Sequence, residues 1–234
     1  MSARNSARRI KRGDTLYLLK SGCQWRMLPR EFGKWNTVYR YFKRWRTAGV
    51  WAQMMEALRQ GERRRQGRQE EPSAGSVDSQ SIKTATQPTE VGFDGGKQVK
   101  GRKRHILVDT LGLVIAVVVT AANTDDRVGF MLLLTRYFMG GVQRLRKLWV
   151  DGGYQAEWLA QWVKDLKHTH KITVEVTGHE GKGFQVVPWR WAVERTFAWL
   201  LNDRRHSRDY ERLTTNSEAL IQLSMIRLLL KRLA

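Results

Sequence analysis

A short apolar run that ends in an aspartate and two glycines is the feature that most constrains the fold. Residues 148–150 are Leu, Trp and Val, and Asp151, Gly152 and Gly153 follow at once. This pattern is typical of a buried strand that brings a carboxylate to the edge of a sheet and then turns sharply. Because an unpaired charge beside apolar neighbours is costly, Asp151 needs a cation or a strong donor nearby. The alternative is that Asp151 only caps a helix that starts near Tyr154.

The sequence around this stretch predicts alternating strands and helices. Apolar runs bounded by turn signals indicate strands, and apolar residues at helical spacing indicate helices. In chain order we predict a strand over 76–82, a hairpin over 105–109 and 113–120 that turns at Gly112, a helix over 126–138, a strand over 145–151, a helix over 156–166, a strand over 172–176, and helices over 189–201 and 215–233. The last helix opens with a capping-box pattern from Thr215 to Glu218, and its broad apolar surface predicts packing against the sheet or a partner subunit. This order predicts an α/β fold of the RNase H-like class, a mixed sheet flanked by helices.

The residues ahead of the first strand predict a small all-α module. Residues 1–13 are a basic arm, 14–58 have a helical pattern, 59–75 are polar and predict a linker, and 76–234 form the larger α/β domain with its C-terminal helix. In the clearest helix Trp35, Val38, Phe42 and Trp45 share one stripe. Three basic residues lie away from that stripe: Arg40, Lys43 and Arg44. They predict contact with a DNA groove, as in a helix-turn-helix; the alternative is an ordinary solvated face.

The excess of positive charge predicts a polyanionic partner. The chain has 42 Lys and Arg against 22 Asp and Glu, a formal net charge of +20. Nucleic acid is the partner that such a charge favours, and a merely basic protein is the alternative. Another basic cluster adds to this charge: Lys97, Lys100, Arg102, Lys103 and Arg104. A single cysteine excludes a disulfide framework, and the apolar run over 111–122 is too short to span a membrane, so we expect a cytosolic protein with no membrane partner.

Three acids are the candidate catalytic residues. Asp78 lies on the first predicted strand, Asp151 ends the fourth, and Glu194 lies in the helix after the fifth. In an RNase H-like arrangement these positions meet at one edge of the sheet, where three ionised carboxylates require cations. Two Mg²⁺ ions would meet that need and would support phosphoryl displacement. Taken singly, each acid has another explanation: Asp78 could form a turn, and Glu194 could pair with Arg190 four residues earlier. Asp109 and Asp126 are interpreted as hairpin and helix-start residues.

Several motifs together resemble the DDE transposases of bacterial insertion sequences. The resemblance lies in the segments Ser21 to Pro29, Val77 to Ser81, Lys100 to His105, Asp151 to Tyr154 and Val193 to Trp199. It implies an RNase H-like core that uses two Mg²⁺ ions, for which Mn²⁺ can substitute, with Asp78, Asp151 and Glu194 as the metal-binding catalytic triad. It also implies cleavage at the ends of a mobile element and joining of the freed ends to target DNA. The expected setting is a homo-oligomer on double-stranded DNA, nucleoid-associated in the bacterial cytoplasm.

The chain departs from the family pattern in two places. Around the glutamate, relatives carry a Tyr, an Arg and a Lys; here Arg190 matches the Arg, but Val187 and Leu201 stand at the other two positions. We expect Arg204 and Arg205 to take over the phosphate contact. Relatives also carry a longer segment ahead of the Ser21 motif. The alternatives to a transposase are therefore an RNase H-like nuclease without strand transfer and an inactive, N-terminally truncated DNA-binding relic.

Overall fold

A mixed sheet lies at the centre of the computed structural model, which describes residues 13–85, 88–140, 144–177 and 189–234. The described strands are β1 (Ala74–Lys83), β2 (Gly92–Asp94), β3 (Val99–Asp109), β4 (Val114–Ala121), β5 (Lys147–Val150) and β6 (Thr173–Val176). β3 pairs antiparallel with β1 on one side and with β2 and β4 on the other, while β1, β5 and β6 are parallel. The predicted RNase H-like sheet is confirmed. Residues 1–12 of the predicted basic arm lie outside the described residues.

Helices flank the sheet on both faces. In chain order they are α1 (Asp14–Ser21), α2 (Trp35–Thr47), α3 (Val50–Arg65), α4 (Asp126–Met139), α5 (Glu157–His170), α6 (Arg190–Leu201) and α7 (Thr214–Leu233), with 3₁₀ turns at Trp25–Met27, Arg30–Phe32, Gly152–Tyr154 and Arg204–His206. Within the described ranges, none of these helices combines the length and the apolar character needed to cross a lipid bilayer.

Alternation of side chains along β3 divides the interior into two layers, because successive residues of a strand point to opposite faces. Ile106 and Val108 belong to a layer formed with the N-terminal helices, α6 and α7. Leu107 belongs to the other layer, formed with α4 and α5. The N-terminal helices therefore share a hydrophobic core with the sheet. The predicted hairpin is also confirmed, with Gly112 at φ +77°, a conformation that favours glycine.

The predicted linker differs from the structure. α3 continues to Arg65, so only residues 66–73 connect the helices to β1. The polar side chains of these last helical turns lie inside the protein: Arg63 is 5% exposed and forms an ion pair with buried Asp109, and Arg59 pairs with Glu71 at 3.3 Å. Buried charges need such partners. Because the partners are distant in the chain, the local sequence resembles a solvated linker.

The predicted capping box at the start of α7 is wrong. The helix begins at Thr214, and Leu213 caps it without a side-chain hydrogen bond. Glu218 instead accepts a hydrogen bond from the Val119 backbone N–H at 3.1 Å and pairs with Arg136 at 3.3 Å. These bonds attach α7 to β4 and α4, so the apolar surface of the helix packs within the chain.

The basic cluster on β3 requires a correction, because the structure buries three residues that we expected on DNA. Arg102 is 0% exposed and pairs with Asp209 at 3.3 Å, while its guanidinium donates to the backbone oxygens of Glu211 and Arg212. Arg104 is 2% exposed and donates to His206 O at 3.2 Å. These two arginines attach the segment between α6 and α7 to the sheet.

The predicted DNA contacts of Lys103 and Arg205 are wrong for the same reason, because both side chains are buried. The Lys103 ammonium is buried and lies 3.0 Å from Asp126 and 3.5 Å from Asp94. Arg205 is 5% exposed, forms an ion pair with Glu211 and donates to the Cys23 backbone oxygen at 2.8 Å. None of these four side chains is exposed to a DNA backbone in this structure.

Arg102→Ala is predicted to destabilise the fold, because it leaves the Asp209 carboxylate buried without its cation. We expect the free energy of unfolding to fall by about 3–5 kcal/mol, measured by urea denaturation. Lys100→Ala is the matched control, since Lys100 lies two residues earlier on β3 and is exposed. It should change stability by no more than about 0.5 kcal/mol. A stable Arg102→Ala protein that binds DNA less tightly would restore the DNA-contact interpretation.

Candidate active site

The register of two parallel strands brings Asp78 and Asp151 together. The last paired residues of β1 and β5 are Ser76 and Trp149, and each aspartate follows two residues later. Residues two apart in a strand share a face, and neighbouring strands lie about 4.8 Å apart. The two carboxylates therefore stand side by side on one face, where β5 ends. This is the arrangement that the sequence predicts for these two acids.

The start of α6 lies over the same face. Ser76 Oγ donates to the backbone oxygen of Trp189 at 2.8 Å, and the rings of Trp149 and Trp189 stack with their centroids 5.6 Å apart. Ser76 lies two residues before Asp78, and Trp149 lies two residues before Asp151. This packing holds the start of α6 against the strands that carry the carboxylate pair, and the charge of Arg190 acts on Asp78.

The two aspartates are not neutralised by the described part of the protein. Asp78 accepts a hydrogen bond from the Ser79 backbone N–H at 2.6 Å, and Asp151 accepts one from Gly153 N–H at 2.9 Å. Neither forms an ion pair with a described lysine or arginine within 4 Å. Burial and the charge of Asp151 raise the pKa of Asp78 to about 6, although the Ser79 hydrogen bond and the charges of Lys97 and Arg190 oppose that rise.

These observations fit a divalent cation at Asp78 and Asp151. Mg²⁺ prefers carboxylate oxygens and is usually bound by one or two of them together with water and phosphate. Glu194 is placed differently from the expectation: its side chain is 60% exposed and pairs with Arg190 at 3.6 Å. Across the described ranges, no three acidic, His or Cys side chains are grouped closely enough to hold a metal. The structure thus brings two of the predicted acids together and leaves the third on the neighbouring helix.

A polar cluster on the opposite face of β1 is a feature that sequence reasoning missed. Ser79 Oγ donates to Asp126 at 2.7 Å, and the same carboxylate binds the Lys103 ammonium. Asp94 also binds Lys103, and Lys97 Nζ donates to the Ser79 backbone oxygen at 3.1 Å. The cluster holds the backbone next to Asp78. Polar residues run consecutively over 78–81 and over 102–105, so no alternation marks this face of the strands in the sequence.

Other predicted contacts lie at the surface. Arg40, Lys43 and Arg44 are exposed on α2, whereas Val38 and Phe42 on its other side are buried. Lys100 and Arg204 are also exposed, and Arg190 is half-buried. Leu201, which replaces the family Lys, is exposed at the end of α6, and Val187 lies outside the described residues.

Comparisons with known proteins place most of the chain in one family. Residues 69–229, more than half of the chain, match the family model described as "Transposase DDE domain". Residues 3–55 match the model described as "Putative transposase of IS4/5 family". A curated relative from Burkholderia cepacia, "Putative transposase for insertion sequence element IS402", is 32% identical over 129 residues. That alignment covers 53% of this chain and 60% of the relative, so the match spans less than two thirds of the relative's length.

Asp78→Asn is predicted to stabilise the metal-free protein at neutral pH. A carboxyl whose pKa is raised from 3.8 to about 6 on folding favours the folded state when protonated, and that contribution is lost as the pH rises through 6. The substitution should therefore raise the free energy of unfolding by about 1–3 kcal/mol at pH 8 and by nothing at pH 4 or below. Chemical denaturation across this pH range, with EDTA present, would measure the difference.

Asp165→Asn provides the control for this prediction, because Asp165 is exposed on α5. It should leave stability unchanged across the range. An Asp78→Asn protein that is less stable than wild type at pH 8 would contradict the placement of Asp78 beside an uncompensated charge.

Proposed function

The chain belongs to the transposase DDE domain family, and from this premise we propose that it binds the ends of an insertion sequence, cleaves the DNA there and joins the freed 3′ ends to target DNA. The single observation that carries the proposal is the pair of half-buried carboxylates, Asp78 within β1 and Asp151 at the end of the neighbouring parallel strand β5, which form no ion pair with a described lysine or arginine. Such a pair suits divalent metal chemistry on phosphodiesters. The proposed setting is the bacterial cytoplasm, where element and target DNA are both present.

In this proposal Asp78, Asp151 and Glu194 hold the divalent metal. Two bound Mg²⁺ ions, or Mn²⁺ in their place, would activate the attacking oxygen and stabilise the leaving oxygen of an in-line displacement. Asp78 and Asp151 provide the fixed side of the site, because their strands are buried in the sheet. Glu194 provides the movable side, since its exposed side chain is free to exchange Arg190 for the metal. The guanidinium of Arg190, once released, can contact a DNA phosphate.

The DNA is proposed to lie across the surface that carries exposed cations. Its contacts would come from Arg40, Lys43, Arg44, Lys100, Arg190 and Arg204, which the structure leaves exposed or half-buried. Neutralising phosphates in this way releases counterions and supplies most of the sequence-independent affinity. Because two element ends must be brought together, we propose that the chain acts as a homo-oligomer on DNA.

Alanine substitution of each proposed metal ligand should abolish strand transfer. With a pre-cut element end, a supercoiled target and Mg²⁺, wild type is expected to yield joined product, and Asp78→Ala, Asp151→Ala and Glu194→Ala are expected to yield none above background. Each substitution removes a negative oxygen ligand from the metal. Asp165→Asn, which changes an acid outside the site, should retain wild-type yield. Nicking without joining would favour the nuclease, and DNA binding with neither reaction would favour the relic.

Replacing Arg40, Lys43 and Arg44 together with alanine should weaken DNA binding without unfolding the protein. If each side chain neutralises one phosphate, the slope of log affinity against log salt should become shallower by about 2–3. Titrations of labelled element-end DNA at several salt concentrations would measure this slope. Lys164→Ala, an exposed lysine on α5, is the control and should leave it nearly unchanged. An unchanged slope in the triple variant would remove α2 from the DNA-binding surface.

A further inference from the structure

The outer face of α4 is apolar although it points away from the protein. Val128 is 42% exposed, Leu132 is 43% exposed and Met139 is 81% exposed. The other side of the helix, with Phe130 and Leu133, is buried against the sheet. A surface helix normally carries polar residues on its outer side, and a helix that is apolar all round is normally covered. Single exposed apolar residues are common, whereas a row of them is typical of an interaction surface.

Thr135 completes this row, which we call the α4 stripe and define as Val128, Leu132, Thr135 and Met139. The Thr135 hydroxyl donates to the Met131 backbone oxygen at 2.9 Å. Because the hydroxyl is satisfied within the helix, Thr135 needs no polar partner at an apolar contact. The stripe extends roughly 16 Å along the helix axis, at about 1.5 Å per residue.

The stripe carries no charge, and the charged side chains of α4 are bound within the chain. Asp126 pairs with Lys103 at 3.0 Å. Arg136 pairs with Glu218 at 3.3 Å, and Arg127 donates to a backbone oxygen at 3.3 Å. Copies of a chain with a net charge of +20 repel one another. An uncharged surface is therefore where a second copy meets the least repulsion.

The spacing of the stripe suits a second copy of the same helix. Its members are separated by four, three and four residues, which is the 3.5-residue repeat of a packed helix pair. The spacing is the same in both directions, so two stripes related by a twofold axis can pack antiparallel. Val128 then faces the partner's Met139, and Leu132 faces the partner's Thr135.

The stripe lies on the side of the sheet away from Asp78. α4 packs in the layer that contains Leu107, whereas α2 and α6 pack in the layer that contains Ile106. Asp78 is the cross-strand neighbour of Ile106, and residues paired in this way point to the same face. A contact through α4 therefore leaves the acidic pair and the basic face of α2 uncovered in both copies.

We propose that the α4 stripe is the contact between two copies of this chain, packed antiparallel about a twofold axis between Leu132 and Thr135. This inference rests on the proposed function, since it assigns the surface by which the proposed homo-oligomer forms. A contact made by one helix buries less than the roughly 800 Å² per partner of a standard interface. We therefore expect a weak dimer, with a Kd on the order of micromolar, that DNA carrying two element ends strengthens by raising the local concentration.

Val128→Glu should separate the two copies, because it places a carboxylate of each copy in the apolar contact. The dimer Kd, measured by sedimentation velocity, is expected to rise at least about 100-fold. The melting temperature of the monomer should not change, since the residue is exposed there. Met27→Glu is the control: it makes the same change of charge at a methionine that is 67% exposed outside α4, and it should leave the Kd unchanged.

Adding Met139→Lys to Val128→Glu should restore the dimer to within about 10-fold of the wild-type Kd, because each glutamate then faces a lysine of the other copy. Within one helix the two positions are roughly 16 Å apart, so this rescue cannot arise inside a single chain. Met139→Lys alone should weaken the dimer. A double variant that stays monomeric contradicts the antiparallel contact, and a wild-type dimer that Val128→Glu leaves intact excludes the stripe as the contact.

Strand transfer by the wild type separates this inference from the proposed function. If the wild type dimerises through α4 but joins no DNA, the contact surface stands and the proposed function fails. If the wild type joins DNA while sedimenting as a monomer both alone and on element-end DNA, the proposed function stands and the α4 contact is wrong.

Discussion

The placement of two carboxylates on neighbouring parallel strands is the constraint on which the candidate site depends. The parallel pairing of β1 with β5 fixes Asp78 and Asp151 at equivalent positions, and the buried layers on both faces of the sheet prevent the strands from moving apart. The electrostatic cost of this placement can be relieved only by a proton or a cation. Because the pKa of Asp78 is raised only to about 6, the proton is mostly lost at neutral pH and above. The sheet therefore holds an acidic pair whose electrostatic cost the proposed metal would relieve.

Buried arginines hold segments of the domain together, and their charge is not exposed to DNA. Arg102 and Arg104 use their guanidinium groups on Asp209 and on the backbone of residues 206–212, which fixes the connection between α6 and α7 against β3. Arg63 does the same between α3 and the β3–β4 hairpin. The net charge of +20 thus overstates the surface potential. Affinity for DNA would depend on where the exposed cations lie, and these include the basic residues of α2, Lys100 and Arg204.

The sequence predicts the features that local pattern determines. Apolar alternation identifies the strands, and the Asp151-Gly-Gly turn identifies a carboxylate at a strand end. The failures share one cause, which is that polar residues found partners far away in the chain. The predicted strand at 105–109 missed the first half of β3, because Lys100 to Arg104 resemble a solvated segment until Asp94, Asp126 and Asp209 are brought beside them. Glu218 resembles a capping residue until β4 is present. The placement of Glu194 depends on how α6 packs against the sheet, and the spacing of residues in the sequence does not predict that packing.

Arg190 connects the electrostatics of Glu194 and Asp78. Its guanidinium pairs with Glu194 at 3.6 Å, and its charge also lowers the pKa of Asp78. In the metal-free protein Arg190, together with Lys97, partly compensates the negative charge of Asp78. In the proposed mechanism a bound metal would supply that compensation, and Glu194 would no longer need the arginine. The same event then creates a positive group at the edge of the site, where a DNA phosphate would approach. Metal binding and DNA binding are therefore expected to strengthen each other, since each ligand removes an electrostatic cost that the other would otherwise meet.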